Sequence, residues 1–217
     1  MNSVKIRRKP RRPGQPAYHH GNLHQQLVAA TEEIILERGV DGFTLREAAR
    51  RAGVSPAAPA HHFKDARGLL SEVALLGFKE FGDQLLAADR RGGADPHRRL
   101  YEQGVAYVTF ALKNPARFQL MFADGKCDMN YKNLAAVSER AFKVLEVAIR
   151  AASGLDEDDP MSPEAFGRLM AAWSLVHGFA HLALGGKFNR PARQRGGKSV
   201  ILKSFLPLTL AHLPARK

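Results

Sequence analysis

Apolar positions recur every three to four residues along most of the chain after Tyr18, and no stretch alternates apolar with polar residues as a half-buried strand does. The pattern predicts an all-α protein. Leu23, Leu27, Ala30, Ile34 and Ile35 form the apolar stripe of a first helix, expected to take Asn22 as its N-cap and to end at Arg38-Gly39. A second helix opens at Thr44, where Thr44-Leu45-Arg46-Glu47 has the form of a capping box, and stops at Gly53. A third is expected to start at Ser55 as cap, with Pro56 in the first helical position, and Pro59 keeps it short. Asp65 then caps a longer helix through Leu69, Leu70, Val73, Leu76, Phe78 and Phe81 toward Ala88, where RRGGADP breaks the chain. Further helices are predicted over residues 97–113, 115–123, 131–152, 163–185 and 198–213, with GLDEDDPMSP and KFNRPARQRGG as polar loops.

Three short helices joined by tight turns, with Ala52-Gly53-Val54 between the second and the third, have the pattern of a helix-turn-helix. Ala49 lets the two helices approach, Gly53 tolerates the positive φ of the turn, and Val54 fills the space between them. The expected organisation is a basic arm over residues 1–17, a three-helix head over 18–65, and a helical bundle over 66–217. The boundary falls at the fourth helix, which joins head to body.

Charge sharpens this picture. The 217 residues carry 33 Lys and Arg against 21 Asp and Glu, a net charge of +12. Lys5, Arg7, Arg8, Lys9, Arg11 and Arg12 concentrate half of that excess in the first 17 residues, which contain no acid. With Pro10, Pro13 and Pro16 and nothing apolar to bury, this segment reads as a flexible arm suited to a polyanion such as nucleic acid. No run of eighteen apolar residues and no secretory signal pattern appear, so the expected location is the cytoplasm, with no membrane partner. Cys127 is the single cysteine, which excludes a disulfide or thiolate cluster within one chain.

The words around the turn carry more. YHHGNLHQQLVAAT, GVDGFTLREAARRAGVSPAAPAHHFKD and RGLLSEV resemble the N-terminal domain of TetR-family transcriptional regulators over some fifty residues. Trp173-Ser174-Leu175-Val176-His177-Gly178 resembles the tryptophan, histidine and glycine signature of the WHG subgroup of that family. The resemblance implies a homodimer with two heads on a near-palindromic double-stranded DNA operator, and a body that binds a small-molecule effector. Carried across by position, it implies DNA-backbone contacts at Thr44 and Arg46, since a helix N-terminus offers free N–H groups to phosphate. It makes the third helix the recognition helix, with Ser55, Pro56, Ala57 and Ala58 near the major groove and His61, His62 and Lys64 leading back to the backbone. The chain departs from the family at two anchors. Ala60 stands where a tyrosine is usual, and Ala66 where a lysine commonly opens the fourth helix, leaving Arg67 as a stand-in.

In the body, Phe110, Phe118, Met121, Phe122, Phe142, Leu145 and Trp173 are candidates to line a largely apolar effector cavity, with His177 as one oriented polar group. NPARFQLMF, a brief helix between breakers, is the candidate gate. The helices over 163–185 and 198–213 are expected to pair across the dimer, with Ala171, Ala172, Gly178, Ala180 and Ala183 permitting close approach. His177 and His181 share a helical face, but no carboxylate or cysteine sits at the matching offset, so no metal or other cofactor is expected. Two other readings compete. One is an enzyme using His177, His181 and a carboxylate such as Asp124 or Glu139, which no nucleophile–base pair supports. The other is a ligand-independent architectural DNA-binding protein driven by the arm.

Overall fold

In the computed structural model, which describes residues 20–213, helices account for all regular structure and no strand occurs among the described residues. α1 (His20–Arg38), α2 (Leu45–Arg51) and α3 (Ala58–Phe63) come first. α4 (Ala66–Gly92) follows and packs against α1 and α3 near its start and against α5 (Pro96–Lys113), α6 (Pro115–Met121) and α7 (Leu134–Ser153) beyond. α8 (Pro163–Leu184) covers α5 and α7, and two short helices, α9 (Asn189–Arg193) and α10 (Leu206–Leu210), are the last among the described residues. The basic arm and His19 lie outside the described residues.

The stripe predicted for α1 is buried along its whole length, from Leu23 and Leu27 to Ile34 and Ile35. These side chains meet Phe43, Ala48, Phe63, Leu69 and Val73 in a core that runs without interruption along α4 into the body. Each buried Leu, Ile, Val or Phe among them contributes on the order of 1.5–3 kcal/mol when taken out of water. Apolar burial along α4 therefore ties head and body together.

The helix-turn-helix forms as its spacing predicts. Gly53 has φ 67, its N–H reaches Arg50 O at 3.2 Å, and Val54 N–H reaches Ala49 O at 3.0 Å. These are the paired bonds of a Schellman motif, which closes α2 and turns the chain toward α3. Ala48 and Ala49 are fully buried, and Val54 packs partly buried against the core.

Several helix ends differ from expectation, each for a local reason. α1 already starts at His20, so Asn22 is inside it and is not the N-cap; a cap preference of about 1 kcal/mol does not stop a helix whose next turns are anchored by packing. α3 starts at Ala58, with Ser55–Ala57 forming a turn in which Ala58 N–H meets Ser55 O. Had Pro56 been the first helical residue, Pro59 would have stood where an N–H must bond back to the cap carbonyl, which proline cannot do. Pro59 occupies the first turn instead.

Two body helices also change. α7 begins at Leu134, because Lys132 (φ 45) and Asn133 (φ 60) are left-handed and Tyr131–Asn133 form only a 3-10 turn. In the C-terminal stretch a π-helical turn, Ile201–Phe205, leads into α10, in place of one long regular helix. Pro207 lacks the N–H that residue 203 would accept, and its ring excludes a regular turn there.

Candidate DNA-binding face and ligand cavity

The head presents one polar face. Thr44, Arg46, Ser55, Pro56, Ala57, Ala60, His61, His62 and Lys64 are exposed and Ala58 is half-buried. Thr44 caps α2 as expected, its hydroxyl oxygen accepting from Glu47 N–H at 3.2 Å, which leaves its O–H free to donate. The box is not reciprocal: Glu47 does not return to Thr44 but accepts from Arg50 Nε at 2.8 Å and Arg51 Nε at 3.0 Å. Hydrogen bonds from Arg50 and then Arg51 hold the Glu47 carboxyl down to about 2, so it stays ionised throughout the physiological range. Arg51 also reaches Glu37 on α1, locking α2 to α1. Arg50 and Arg51 are thus neutralised internally, whereas Arg46 has no ion pair among the described residues. A groove lined by Arg38, Thr44, Arg46, Glu47, Arg50, Val54 and Pro56 runs along this face.

α3 is set on α4 by a strained joint. Lys64 has φ 68 and ψ −57, and Asp65 N–H bonds Phe63 O at 2.8 Å across it, a γ-turn of the rare positive-φ kind. Gly68 receives the same carbonyl: a Cβ there would stand 1.9 Å from Phe63 O. Asp65 caps α4 by accepting from Gly68 N–H at 2.8 Å. Arg67 is exposed but donates to the Cys127 carbonyl at 2.9 Å, so it is tied to the body loop. Burial pushes the Cys127 thiol up to about 11, with Arg67 opposing, which leaves it protonated and inert.

Behind the head lies a cluster the sequence did not disclose. Glu72 on α4, with its side chain 7% exposed, accepts from Tyr131 Oη at 2.8 Å and Lys132 Nζ at 2.7 Å and contacts His24 Nε2 at 3.1 Å. Burial raises its proton affinity, but the Lys132 and Tyr131 bonds outweigh that and hold it below the ordinary carboxylate value. The cluster joins α1, α4 and the turn before α7. The left-handed residues that delay α7 are the geometry that brings Tyr131 and Lys132 to Glu72.

The body holds a partly open cavity of about 420 Å³ with aromatic walls, the exposed Met129 and Glu139 being among its lining residues. Met121, Phe122, Phe142, Leu145 and Trp173 line it as predicted, joined by Phe78, Phe81, Gln103 and Tyr107. Phe110 and Phe118 do not line it. Both are completely buried in the core behind the wall, Phe110 against Phe81 at 5.0 Å and Phe118 against Phe122 at 5.0 Å. Their rings fill the space between α4, α5 and α6. His177 stands one layer back, where its Nδ1 meets Tyr107 Oη at 2.7 Å while Trp173 Nε1 donates to the same hydroxyl at 3.4 Å. Trp173 can only donate, so the hydroxyl's own proton is free for an unprotonated His177 Nδ1. Burial, and then the nearby His181, lower the His177 pKa and favour that neutral form. Tyr107 and Gln103 lie four residues apart on α5, an offset that sequence places on one face, but nothing in their types marked them out.

Arg117 on α6 connects the two regions. It donates to Glu32 on α1 and to Glu80 on α4, each at 2.7 Å. Gly77 lets α6 lie close on α4, since a Cβ there would meet Met121 Sδ at 2.7 Å. No group of three His, Cys, Asp or Glu placed to hold a metal ion occurs among the described residues, and none of their helices is long and apolar enough to cross a membrane.

A small helix-turn-helix with an exposed basic and hydroxyl face, set on a larger helical body, defines a DNA-binding transcriptional regulator. The chain belongs to the TetR family. Residues 27–73 match the profile described as bacterial regulatory proteins, tetR family, and residues 100–198 match that of the tetracyclin repressor-like C-terminal domain, together more than half of the chain. An uncharacterized HTH-type transcriptional regulator, YobS of Bacillus subtilis (strain 168), is 23% identical over 196 residues, covering 86% of this chain and 92% of its own. Among solved structures, a protein of unknown function from Rhodococcus sp. RHA1 superposes with a TM-score of 0.67 at 28% identity, covering 92% of this chain and 99% of that one. A regulatory protein in the tetR family from Rhodococcus RHA1 gives 0.65 at 20% identity, covering 90% and 98%.

Proposed function

We propose that this protein is a homodimeric repressor that acts in the cytoplasm, binds a near-palindromic operator through residues 18–65, and releases it when a small apolar effector fills the cavity of residues 66–217. One observation carries the coupling. Met121 and Phe122, which wall the cavity, stand at the C-terminal end of the same short helix whose Arg117 grips Glu32 on α1 and Glu80 on α4. A ligand that displaces Phe122 moves α6, and α6 cannot move without disturbing either α1 or α4. Only a difference in affinity between two such arrangements shifts their balance, and two recognition helices must stay roughly 34 Å apart to meet successive major grooves.

On this reading Thr44 and Arg46 hold phosphate, and Ser55, Pro56, Ala57 and Ala58 lie against the groove. His61, His62 and Lys64 return to the backbone, and Ala60 is an anchor left empty. The family's tyrosine at that position would gain a phosphate bond, so Ala60→Tyr tightens operator binding. Arg67, held by Cys127, contributes only if that bond opens. The dimer forms through α8 and the C-terminal helical segment, which leave Phe166 (53%) and Leu208 (69%) exposed along with Leu182 and Leu202. Gly178 and the exposed Ala171 suit close helix approach there, whereas Ala172 and Ala180 are buried within the protomer and do not serve it. The meeting of Trp173 and His177 on Tyr107 supports membership of the WHG subgroup. The protein performs no catalysis.

Selection of random duplexes by the full-length protein, followed by footprinting, tests the reading. One short symmetric protected site is expected. Protection without sequence preference overturns it in favour of an architectural protein.

A further inference from the structure

Gln103 is 3% exposed, and its amide is oriented by its neighbours. Nε2 donates to Asp89 Oδ1 on α4 at 2.7 Å and to Val144 O on α7 at 3.3 Å. Arg99 holds both Asp89 oxygens, at 2.8 and 2.9 Å, so that carboxylate is fixed and its charge already neutralised. The reversed amide would set Oε1 against a carboxylate and a carbonyl, three acceptors with no proton among them. Oε1 is thereby turned away from α4 and α7. It is closed off beside the cavity wall with no partner among the described residues, so a ligand in the cavity meets it only by displacing the side chains that cover it.

The other polar groups around the cavity are engaged or exposed. The Tyr107 hydroxyl is taken by His177 and Trp173, Ser138 Oγ donates to Ala135 O at 2.7 Å, and Glu139 is solvent-exposed. The wall therefore holds one buried hydrogen-bonding atom with no partner, and it is an acceptor that a ligand reaches once the side chains over it shift. We infer that the effector is a predominantly apolar, uncharged molecule carrying a hydroxyl or amide N–H that donates to Gln103 Oε1. This rests on the cavity being the effector site. A carboxylate brings only acceptors and a charge that nothing in the wall compensates, and a hydrocarbon or ether leaves Oε1 unsatisfied. An ammonium has donors, but the half-buried carboxylate beside Gln103, Asp89, is already paired with Arg99, so no free charge stands there to offset the lost hydration.

Trp173, the chain's single tryptophan, lines the cavity and reports occupancy by its fluorescence. The probes are 4-nonylphenol, its methyl ether and 4-nonylbenzoate, which share one apolar body. In the full-length protein the phenol is expected to bind about tenfold or more tightly than either of the others, the usual effect of satisfying one buried acceptor. Gln103→Leu is expected to bring the phenol down to the level of the ether while ether binding persists. Should that variant not fold, Gln103→Met keeps length without an acceptor, and the wild-type ratio of phenol to ether stands without any variant. Equal phenol and ether affinities in the wild type, or a preference that survives in the variant, overturn the inference and leave the cavity reading intact. Binding of none of the three overturns the cavity reading and this inference with it.

Discussion

The head and the body of this protein solve opposite problems with the same helices. In the head, alanines at 48 and 49, a glycine turn at 53 and ion pairs from Arg51 to Glu37 and Glu47 leave little room for relative movement. In the body, five helices surround a cavity of about 420 Å³. A reading head must hold few atoms in fixed places to match a groove. An effector site must leave packing unfinished, and native interiors tolerate that only at a cost in stability. On the proposed function, what is rigid reads, what is hollow responds, and the joints between them carry the signal.

The most disruptive way to break this contrast is at the joint of α3 and α4. Gly68→Ala places a methyl group on the Phe63 carbonyl and is expected to cost about 3 kcal/mol in urea unfolding, with operator binding lost. A loss below about 1 kcal/mol would show that α3 is not fixed by that contact.

Next comes the cluster at Glu72. Glu72→Gln is expected to cost about 2 kcal/mol near pH 7, because Lys132 loses its charged partner. In the native protein the folded-state value of Glu72 lies below the ordinary 4.5, so its contribution is complete above that value and disappears as pH falls through the folded one. Stability measured from pH 7 to 3 should therefore fall more steeply in the wild type than in the variant. Parallel curves would remove Glu72 as a latch.

Smaller effects separate the two regions. Arg46→Ala is expected to weaken operator binding about tenfold and reduce the salt slope by about one unit, without changing the binding of any probe at Trp173. A change in probe affinity would mean that head and cavity are coupled through α2 as well as through α6. Finally, Lys64→Gly relieves a positive φ and is expected to raise stability by about 1 kcal/mol, less the entropy glycine adds to the unfolded chain. If calorimetry shows a loss, the γ-turn is not strained as its angles imply.

Much of the head was legible in sequence because its information is local. The stripe of α1, the Thr44 cap, and the Gly53 turn each depend on residues within one or two turns of one another. The same locality explains the errors. Ser55-Pro56 is as good a start signal as Ala57-Ala58-Pro59, and only the position of Pro59's missing N–H decides between them. In the body, the spacing of large apolar residues points to five of the cavity's wall residues, three of them aromatic, but equally to Phe110 and Phe118, since a helical face does not reveal which neighbour covers it. Gln103, Tyr107 and Glu72 went unnoticed for the converse reason: each is one polar residue on a helix, ordinary until its partner arrives from elsewhere in the chain.

The sequence alone determined that this is a helical protein with a helix-turn-helix at its front, where breakers stand, and which side of α1 is buried, because periodicity and turn chemistry act over a few residues. Tertiary structure alone decided which aromatic rings face the cavity, that Arg117 bridges α1 and α4, that Glu72 gathers groups from residues 24, 131 and 132, and that Gln103 keeps one oxygen unpaired. Those outcomes depend on atoms dozens of positions apart reaching hydrogen-bonding distance, which is set by how α4 through α8 pack and not by any short word in the chain.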